Sequence, residues 1–310
     1  MKQLKTLMTE RRNPASEALD SMNALELVTL INREDTRVPR AIGKVLPQIA
    51  LAVDRIARQL ARGGRMIYVG SGTSGRIGAL DSSECPPTFG IDPRMVQFVM
   101  AGGEGALARA TEASEDSASL GRKDLLRKRI TKDDVVIGLA ASGRTPYTIA
   151  ALDAARLKGA TTIAIACNRN SALGKAAEIT IEVEVGPEVL TGSSRLKAGS
   201  AQKMICNMLS TGAMVRLGHV YSNLMVNLHM SNKKLRVRGQ IILENLTAAT
   251  PEAALNALEK SGWNLPVALV MLKAEVSKTE AMRRLKKSGG ILRAAIAGLS
   301  VAGAGQKCRG

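Results

Sequence analysis

Aromatic side chains are almost missing from this chain: two Phe, one Trp and three Tyr stand among 310 residues. Any core must therefore be built from Ala, Val, Ile, Leu and Met. The scarcity also argues against single-stranded nucleic-acid binding, which relies on aromatic stacking platforms. Histidine occurs only at His219 and His229. Neither sits in a metal-like or triad-like arrangement, so histidine catalysis and metal chemistry lack a signal. The four cysteines, Cys85, Cys167, Cys206 and Cys308, lie far apart without a CxxC pair, which argues against a disulfide framework and a zinc site. No apolar run is long enough to span a bilayer, and the opening MKQLKTLMTERRNP has no apolar signal core. The expected compartment is the cytoplasm.

What is present suits a globular protein. Hydrophobic residues make up 45% and mean hydropathy is +0.01, and a chain of 310 residues can bury a substantial core in one large domain plus a small one. The formal charge is +17, from 44 Lys and Arg against 27 Asp and Glu. That excess could mark a nucleic-acid surface or attraction toward anionic substrates. Its clusters are scattered over Arg122-Lys123, Arg127-Lys128-Arg129, Lys233-Lys234 and Arg283-Arg284. None lies in a DNA-reading motif, so solvated basic faces are the simpler reading.

Residues 1–47 read as a helical segment with breaks at Asn13-Pro14 and Val38-Pro39, including a helical spacing from Ser21 to Ile31. The apolar set Leu46, Ile49, Val53, Ile56 and Leu60 predicts an amphipathic helix that Gly63-Gly64 ends. Strand-like runs then follow at 66–69, 95–100, 135–139, 161–167 and 179–185. Helix-like segments separate them, from Arg76 onward and at 104–120, 145–157 and 171–177. This alternation predicts an α/β fold with a five-stranded parallel sheet sandwiched by helices, with ligands bound at the carboxyl ends of the strands. Residues 197–220 predict one long helix, whose Met-rich stripe reads as core or subunit interface. From about residue 239 the strand pattern disappears, and residues 239–310 read as a small all-helical domain. The middle domain then spans 48–238.

Three stretches carry chemistry. Gly70-Ser71-Gly72-Thr73-Ser74-Gly75 follows the first strand and opens a helix, a geometry that points backbone N–H groups at an anion. It matches GxGxxG, but no acidic residue closes the second strand as a dinucleotide site requires. Ser71, Thr73 and Ser74 add hydroxyls that suit a terminal phosphate. Ala140-Ala141-Ser142-Gly143-Arg144-Thr145-Pro146 follows the third strand, and Ser142 and Thr145 could cap a helix or bind the same anion. Thr191-Gly192-Ser193-Ser194-Arg195-Leu196-Lys197 is a third anion candidate, able to offer positive charge to a substrate carboxylate. The acid–base candidates are Glu84, stiffened by Pro86-Pro87, and the group Glu104, Glu112, Glu115 and Asp116. Glu112 and Glu115 share a helix face, so periodicity does not choose between them.

GSGTSGR (70–76), LDSSECPPTFG (80–90), AGGEGALARATEASEDS (101–117), AASGRTPY (140–147) and TGSSRLKAGSAQK (191–203) resemble the N-acetylmuramic acid 6-phosphate etherase family. The resemblance runs from Val38-Pro39 to the helical tail; ECPPTFG and TGSSRLKAG are its most specific parts. It implies a sugar isomerase (SIS) domain of flavodoxin-like architecture, a small C-terminal helical domain like a ubiquitin-associated fold, and a homodimer. It further implies cleavage of the D-lactyl ether of N-acetylmuramic acid 6-phosphate by elimination and hydration, without metal or redox cofactor. The family's proton donor corresponds to Glu84 and its second catalytic carboxylate to Glu115. Phosphate binding falls to Ser71, Thr73, Ser74, Ser142 and Thr145. A non-catalytic sugar-phosphate sensor, a SIS-type transcription regulator and an aldose–ketose isomerase are the other classes such a domain serves. The paired carboxylates, the short N-terminal segment and the ECPPTFG match respectively argue against them.

Overall fold

A computed structural model describes residues 7–109, 114–227, 230 and 232–299. By packing, the chain separates into two compact units that do not follow chain order. One runs up to Ser83 and resumes over Pro93–Gly212; the other joins Glu84–Asp92 to the chain from Ala213 on.

In the first unit three helices come first, α1 (Ala24–Asp35), α2 (Arg37–Gly43) and α3 (Leu46–Ala61). Asn23 starts α1 with a capping box, its side chain accepting from Glu26 N while Glu26 reaches back to its amide. Pro39 does not interrupt the chain as expected, because it falls in the first turn of α2, where a proline N–H is not needed. The sheet then builds from β1 (Met66–Gly70), β2 (Val96–Met100), β3 (Val135–Leu139), β4 (Thr161–Ala166) and β5 (Ile179–Glu182). All pairings are parallel, in the order β2-β1-β3-β4-β5. Every residue of β1, β3 and β4 is buried, as continuous apolar runs covered on both faces should be, while edge strand β5 alternates.

The helices of this unit are α4 (Gly72–Phe89), α5 (Ala118–Leu126), α6 (Pro146–Leu157), α7 (Ala172–Lys175) and α8 (Lys197–Arg216); α4 and α8 each run on into the second unit. On one face of the sheet Ile67, Val69 and Val136 pack with Leu125, Tyr147, Ala151 and Leu152. At the amino end of β3, Asp134 takes two bonds from the Arg65 guanidinium, with one more from each of the Arg65 and Thr131 amides. The helix expected over 104–120 is not continuous. A 3-10 turn covers Glu104–Leu107 after Gly103 at φ +69°, and Ser117 opens a new helix at Ala118 by accepting from Leu120 N. Short-range capping overrides the loose periodicity there. Glu112 lies outside the described residues.

The second unit contains the last turn of α4, a two-residue hairpin of β6 (Val220–Tyr221) with β7 (Leu224–Met225), and helices α9 (Lys233–Thr247), α10 (Pro251–Ser261), α11 (Leu265–Ala274), α12 (Lys278–Lys287) and α13 (Leu292–Ile296). Its core gathers Leu243, Leu258, Leu265, Leu269 and Leu292 around α11. Among the described residues no helix is long and apolar enough to cross a membrane.

Candidate active site

The strand order places a topological switch point between β1 and β3, where the chain leaves in opposite directions along the sheet. Gly70, the last residue of β1, pairs with both Met100 and Leu139, so the loops after β1, β2 and β3 leave from one level. The first is tight. A Cβ on Gly70 would lie 2.8 Å from Gly75 N, and one on Gly75 would lie 2.9 Å from Gly70 O. Gly72 has φ +50° and open space around its Cβ position, which leaves its backbone approachable. Helix α4 starts there. Gly75 N already donates to Ser71 O at 3.0 Å, and by helix geometry the amides just before it lack an intrahelical acceptor. They form the N-terminal positive end that favours an anion. Ser71 and Ser74 are buried and Thr73 half-buried. Arg76 does not face the anion candidate with free donors; its guanidinium donates to Ala106 O and Leu107 O and ties α4 to the loop after β2.

The loop after β3 is held from several sides. Ser142 Oγ accepts from Arg144 N, Gly143 N donates to Ala140 O, and Cys167 N donates to Ala141 O. Thr145 precedes α6 without capping it. Instead its hydroxyl donates to Glu115 Oε1 at 2.9 Å, while Glu115 O accepts from Tyr147 N. Thr145 is buried and Glu115 half-buried. In this conformation the Thr145 hydroxyl hydrogen belongs to Glu115, and Thr145 reaches a phosphate only by releasing it. The loop that carries Ser142 thus also fixes the carboxylate of Glu115. Glu104 and Asp116 are exposed.

Glu84 belongs to the other unit. It lies on α4 just ahead of Pro86 and Pro87, which the helix includes rather than ends at. These prolines cannot donate to the carbonyls of Ser82 and Ser83. The helix stops at Gly90, whose N–H donates to Pro86 O. Gly90 has φ +63° and a Cβ there would meet Asn227 O at 2.1 Å, so the turn closes against Asn227 only as glycine. His219 accompanies it. Burial pushes its imidazole below the ordinary value, opposed by a hydrogen bond with the backbone of Phe89, and Nδ1 lies 2.9 Å from Asn227 Nδ2. A neutral ring that accepts at Nδ1 and donates at Nε2 satisfies both contacts. The Glu84 side chain itself is exposed.

The third anion candidate changes character. Lys197 is buried, and its ammonium pairs with Glu34 at 2.5 Å, both side chains being 1% exposed. Burial alone would raise the Glu34 carboxyl, but bonds from Lys197 and Asn13 and the charges of Lys197 and Arg37 hold it below the ordinary range. Glu188 caps α8 by accepting from Lys197 N and Ala198 N. Lys197 therefore secures α1 to α8 and has no charge to offer a ligand, leaving Arg195 as the exposed cation of that stretch.

Two polar side chains escaped the sequence reading. Asn168, buried just beyond β4, donates to Ala141 O, Ser142 O and Thr9 Oγ1 and accepts from Met8 N. Its place at the carboxyl edge was the available signal. Gln202, fully buried on α8, accepts from Ser74 Oγ at 2.9 Å; it sits inside TGSSRLKAGSAQK, but nothing local distinguishes it. Among the described residues no group of three or more His, Cys, Asp or Glu could hold a metal ion.

Comparison with known proteins agrees with this architecture. Residues 48–156 match the glucokinase regulatory protein N-terminal SIS domain and residues 118–212 the SIS domain. A candidate phosphosugar isomerase involved in capsule formation from Bacteroides fragilis shares the fold, at 18% identity and TM-score 0.50 over 67% of this chain and 98% of that one. Sequence likeness is far stronger elsewhere. The N-acetylmuramic acid 6-phosphate etherase of Serratia proteamaculans is 52% identical over 94% of this chain and 99% of its own. That of Streptomyces coelicolor is 49% identical over 95% of each. With about half the residues identical over 94% of the chain and the SIS sheet present, the chain belongs to the N-acetylmuramic acid 6-phosphate etherase family.

Proposed function

We propose that the protein cleaves the D-lactyl ether of N-acetylmuramic acid 6-phosphate, giving N-acetylglucosamine 6-phosphate and D-lactate in the recycling of cell-wall amino sugar. The observation that carries the reading is the pair of hydroxyl-bearing loops on adjacent strands β1 and β3, the second hooked to Glu115 through Thr145, in a chain of this family.

The phosphate goes to the start of α4 and to Ser71, Thr73, Ser74, Ser142 and Thr145. Once the sugar ring opens, the C1 aldehyde makes the C2 proton acidic. A carboxylate removes that proton, and a carboxylic acid protonates the lactyl ether oxygen as the C–O bond breaks. Water then adds to the unsaturated aldehyde. Glu115 is assigned the C2 proton and the hydration, and Glu84 the departing lactate.

Glu84 is exposed, and Leu80 one turn before it on α4 is 51% exposed. A proton donor works better in a drier setting than that, which supports closure of the site by substrate and by a second copy of the chain. Light scattering on the purified protein checks the homodimer. The function is tested by incubating the protein with N-acetylmuramic acid 6-phosphate and assaying D-lactate, beside Glu84→Gln and Glu115→Gln. Lactate from the parent protein and none from either variant is expected. Tight binding of the sugar phosphate without lactate would make the protein a sensor instead.

A further inference from the structure

Gln202 poses a problem of hydrogen bonding. Its side chain is fully buried and its Oε1 accepts from Ser74 Oγ at 2.9 Å, yet its Nε2 has no partner. Buried N–H groups without an acceptor are rare in folded proteins, rarer than buried carbonyls with a spare lone pair. One turn earlier on α8, Gly199 lies over Thr73, its Cβ position 3.6 Å from Thr73 Cγ2. The face of α8 bearing Gly199 and Gln202 therefore covers the loop that begins α4.

The orientation of the Gln202 amide decides what Ser74 can do. As it stands, the Ser74 hydroxyl spends its only hydrogen on Gln202 and can present just lone pairs to a phosphate oxygen, which repel it. With the amide turned by half a rotation, Nε2–H donates to Ser74 Oγ, the buried donor gains a partner, and the Ser74 hydrogen is free to point at the anion. The chain Gln202 Nε2–H to Ser74 Oγ–H to phosphate oxygen then runs in one direction, each bond polarising the next.

We propose that Gln202 is a positioning residue for the substrate phosphate, whose amide turns when phosphate binds and hands the Ser74 hydroxyl hydrogen to it. This rests on the reading that Ser74 binds phosphate. Gln202 Oε1 is the acceptor of the Ser74 hydrogen, and a bound phosphate offers that hydrogen a charged acceptor in its place.

The test compares Gln202→Met, Gln202→Glu and Ser74→Ala by steady-state kinetics and by competitive inhibition with inorganic phosphate. Methionine removes the orienting amide but lets Ser74 rotate. Glutamate, an acceptor only while ionised, holds the Ser74 hydrogen inward in that form, so the kinetics are compared at high pH. The expected order of KM and of the phosphate inhibition constant is parent, then Gln202→Met, then Gln202→Glu. One hydrogen bond to a charged group sets the last at roughly 10-fold or more above the parent. kcat should stay within about twofold, since the chemistry is not touched. Adding Gln202→Met to Ser74→Ala should change nothing further.

A merely structural Gln202 would instead lower kcat or thermal stability and would add to Ser74→Ala, overturning the proposal. If Ser74→Ala itself leaves KM and phosphate inhibition unchanged, the phosphate role of Ser74 falls first. Should the Gln202 variants not fold, the parent labelled with 15N-glutamine still decides. Saturating inorganic phosphate should shift one side-chain amide resonance that does not shift in Ser74→Ala. No such shift refutes the turn of the amide.

Discussion

The bond from Thr145 to Glu115 joins the proposed phosphate loop to a proposed catalytic carboxylate, and Thr145→Val removes it together with the hydroxyl proposed for the phosphate. Valine keeps the shape and branching of threonine. The backbone at Thr145 is φ −57°, ψ 112°, and its side chain caps nothing, so the helix start should survive. What is lost is one neutral donor to an ionised acceptor, generally about 1.5–3 kcal/mol. Glu115 is half-buried, and water can replace part of the loss, which favours the lower end. If that energy holds the carboxylate against C2 in the transition state, kcat falls roughly 10-fold. The Tyr147 N–H to Glu115 O bond remains at 3.1 Å, so the backbone of Glu115 stays and only its side chain loosens. The assay is D-lactate release across substrate concentrations, with inorganic phosphate as a competitive probe of the phosphate loop alone. Lower kcat supports the positioning of Glu115, and weaker phosphate inhibition beside it reports the phosphate role also proposed for Thr145. Weakened phosphate inhibition with unchanged kcat would refute the positioning and leave Thr145 its phosphate role alone.

Two further outcomes concern stability. Lys197→Met leaves Glu34 buried with only Asn13 and the more exposed Arg37 beside it. Breaking one side of such a pair costs about 3 kcal/mol, which urea unfolding should register as a lower midpoint. Acid should weaken the fold in two stages. Burial lowers His219, so its contribution is full above its ordinary value of 6.5 and declines as pH falls below that. Asp134 and Glu34 are raised by burial but lowered further by their bonded partners, so their contributions persist above their ordinary values of 3.8 and 4.5 and are lost only in stronger acid. Unfolding midpoints of His219→Gln should therefore be flatter where the parent begins to decline below pH 6.5, and a parallel decline in both would remove His219 from the account.

The sheet was legible because its strands are covered on both faces. Val135–Leu139 and Thr161–Ala166 need apolar residues at every position, and that shows as unbroken runs. The end of α3 was legible for a local reason, the Gly63-Gly64 pair just beyond it, whereas the cap considered at Thr145 is not made. Misreadings arose where local signals compete or where long-range contact decides. The carboxylates from Glu104 to Asp116 suggest one helix, but Ser117 caps a later one. The hairpin of Val220–Tyr221 and Leu224–Met225 is too short to alternate. Lys197 reads as a cation available to a substrate carboxylate, because its partner Glu34 lies in a helix far away in sequence. The grouping of Glu84–Asp92 with the C-terminal helices depends on Gly90 meeting Asn227 and on His219 reaching Phe89, and no neighbouring residue announces either contact. Of the candidate site, the hydroxyls and Glu115 could be named; the bonds that already occupy them could not.

Those bonds shape how such a site must work. The Ser74 hydrogen goes to Gln202, the Thr145 hydrogen to Glu115, and Ser142 Oγ accepts from Arg144 N. Lys197 is consumed by Glu34 and the Arg76 guanidinium by two backbone carbonyls. A phosphate arriving here would exchange bonds at Ser74 and Thr145 rather than add them, so those two hydroxyls contribute only the difference between their internal and ligand bonds, while Ser142, whose Oγ accepts, keeps its hydrogen to donate. Backbone amides at the start of α4 have no such prior commitment within the helix. Most of the anion's gain should therefore come from the main chain and the helix end, with hydroxyls setting direction. The exchange also couples binding to chemistry, because Thr145 stands between the loop proposed for phosphate and the Glu115 carboxylate. A loop that binds strongly through fixed cations would have no such link between the phosphate and the carboxylate.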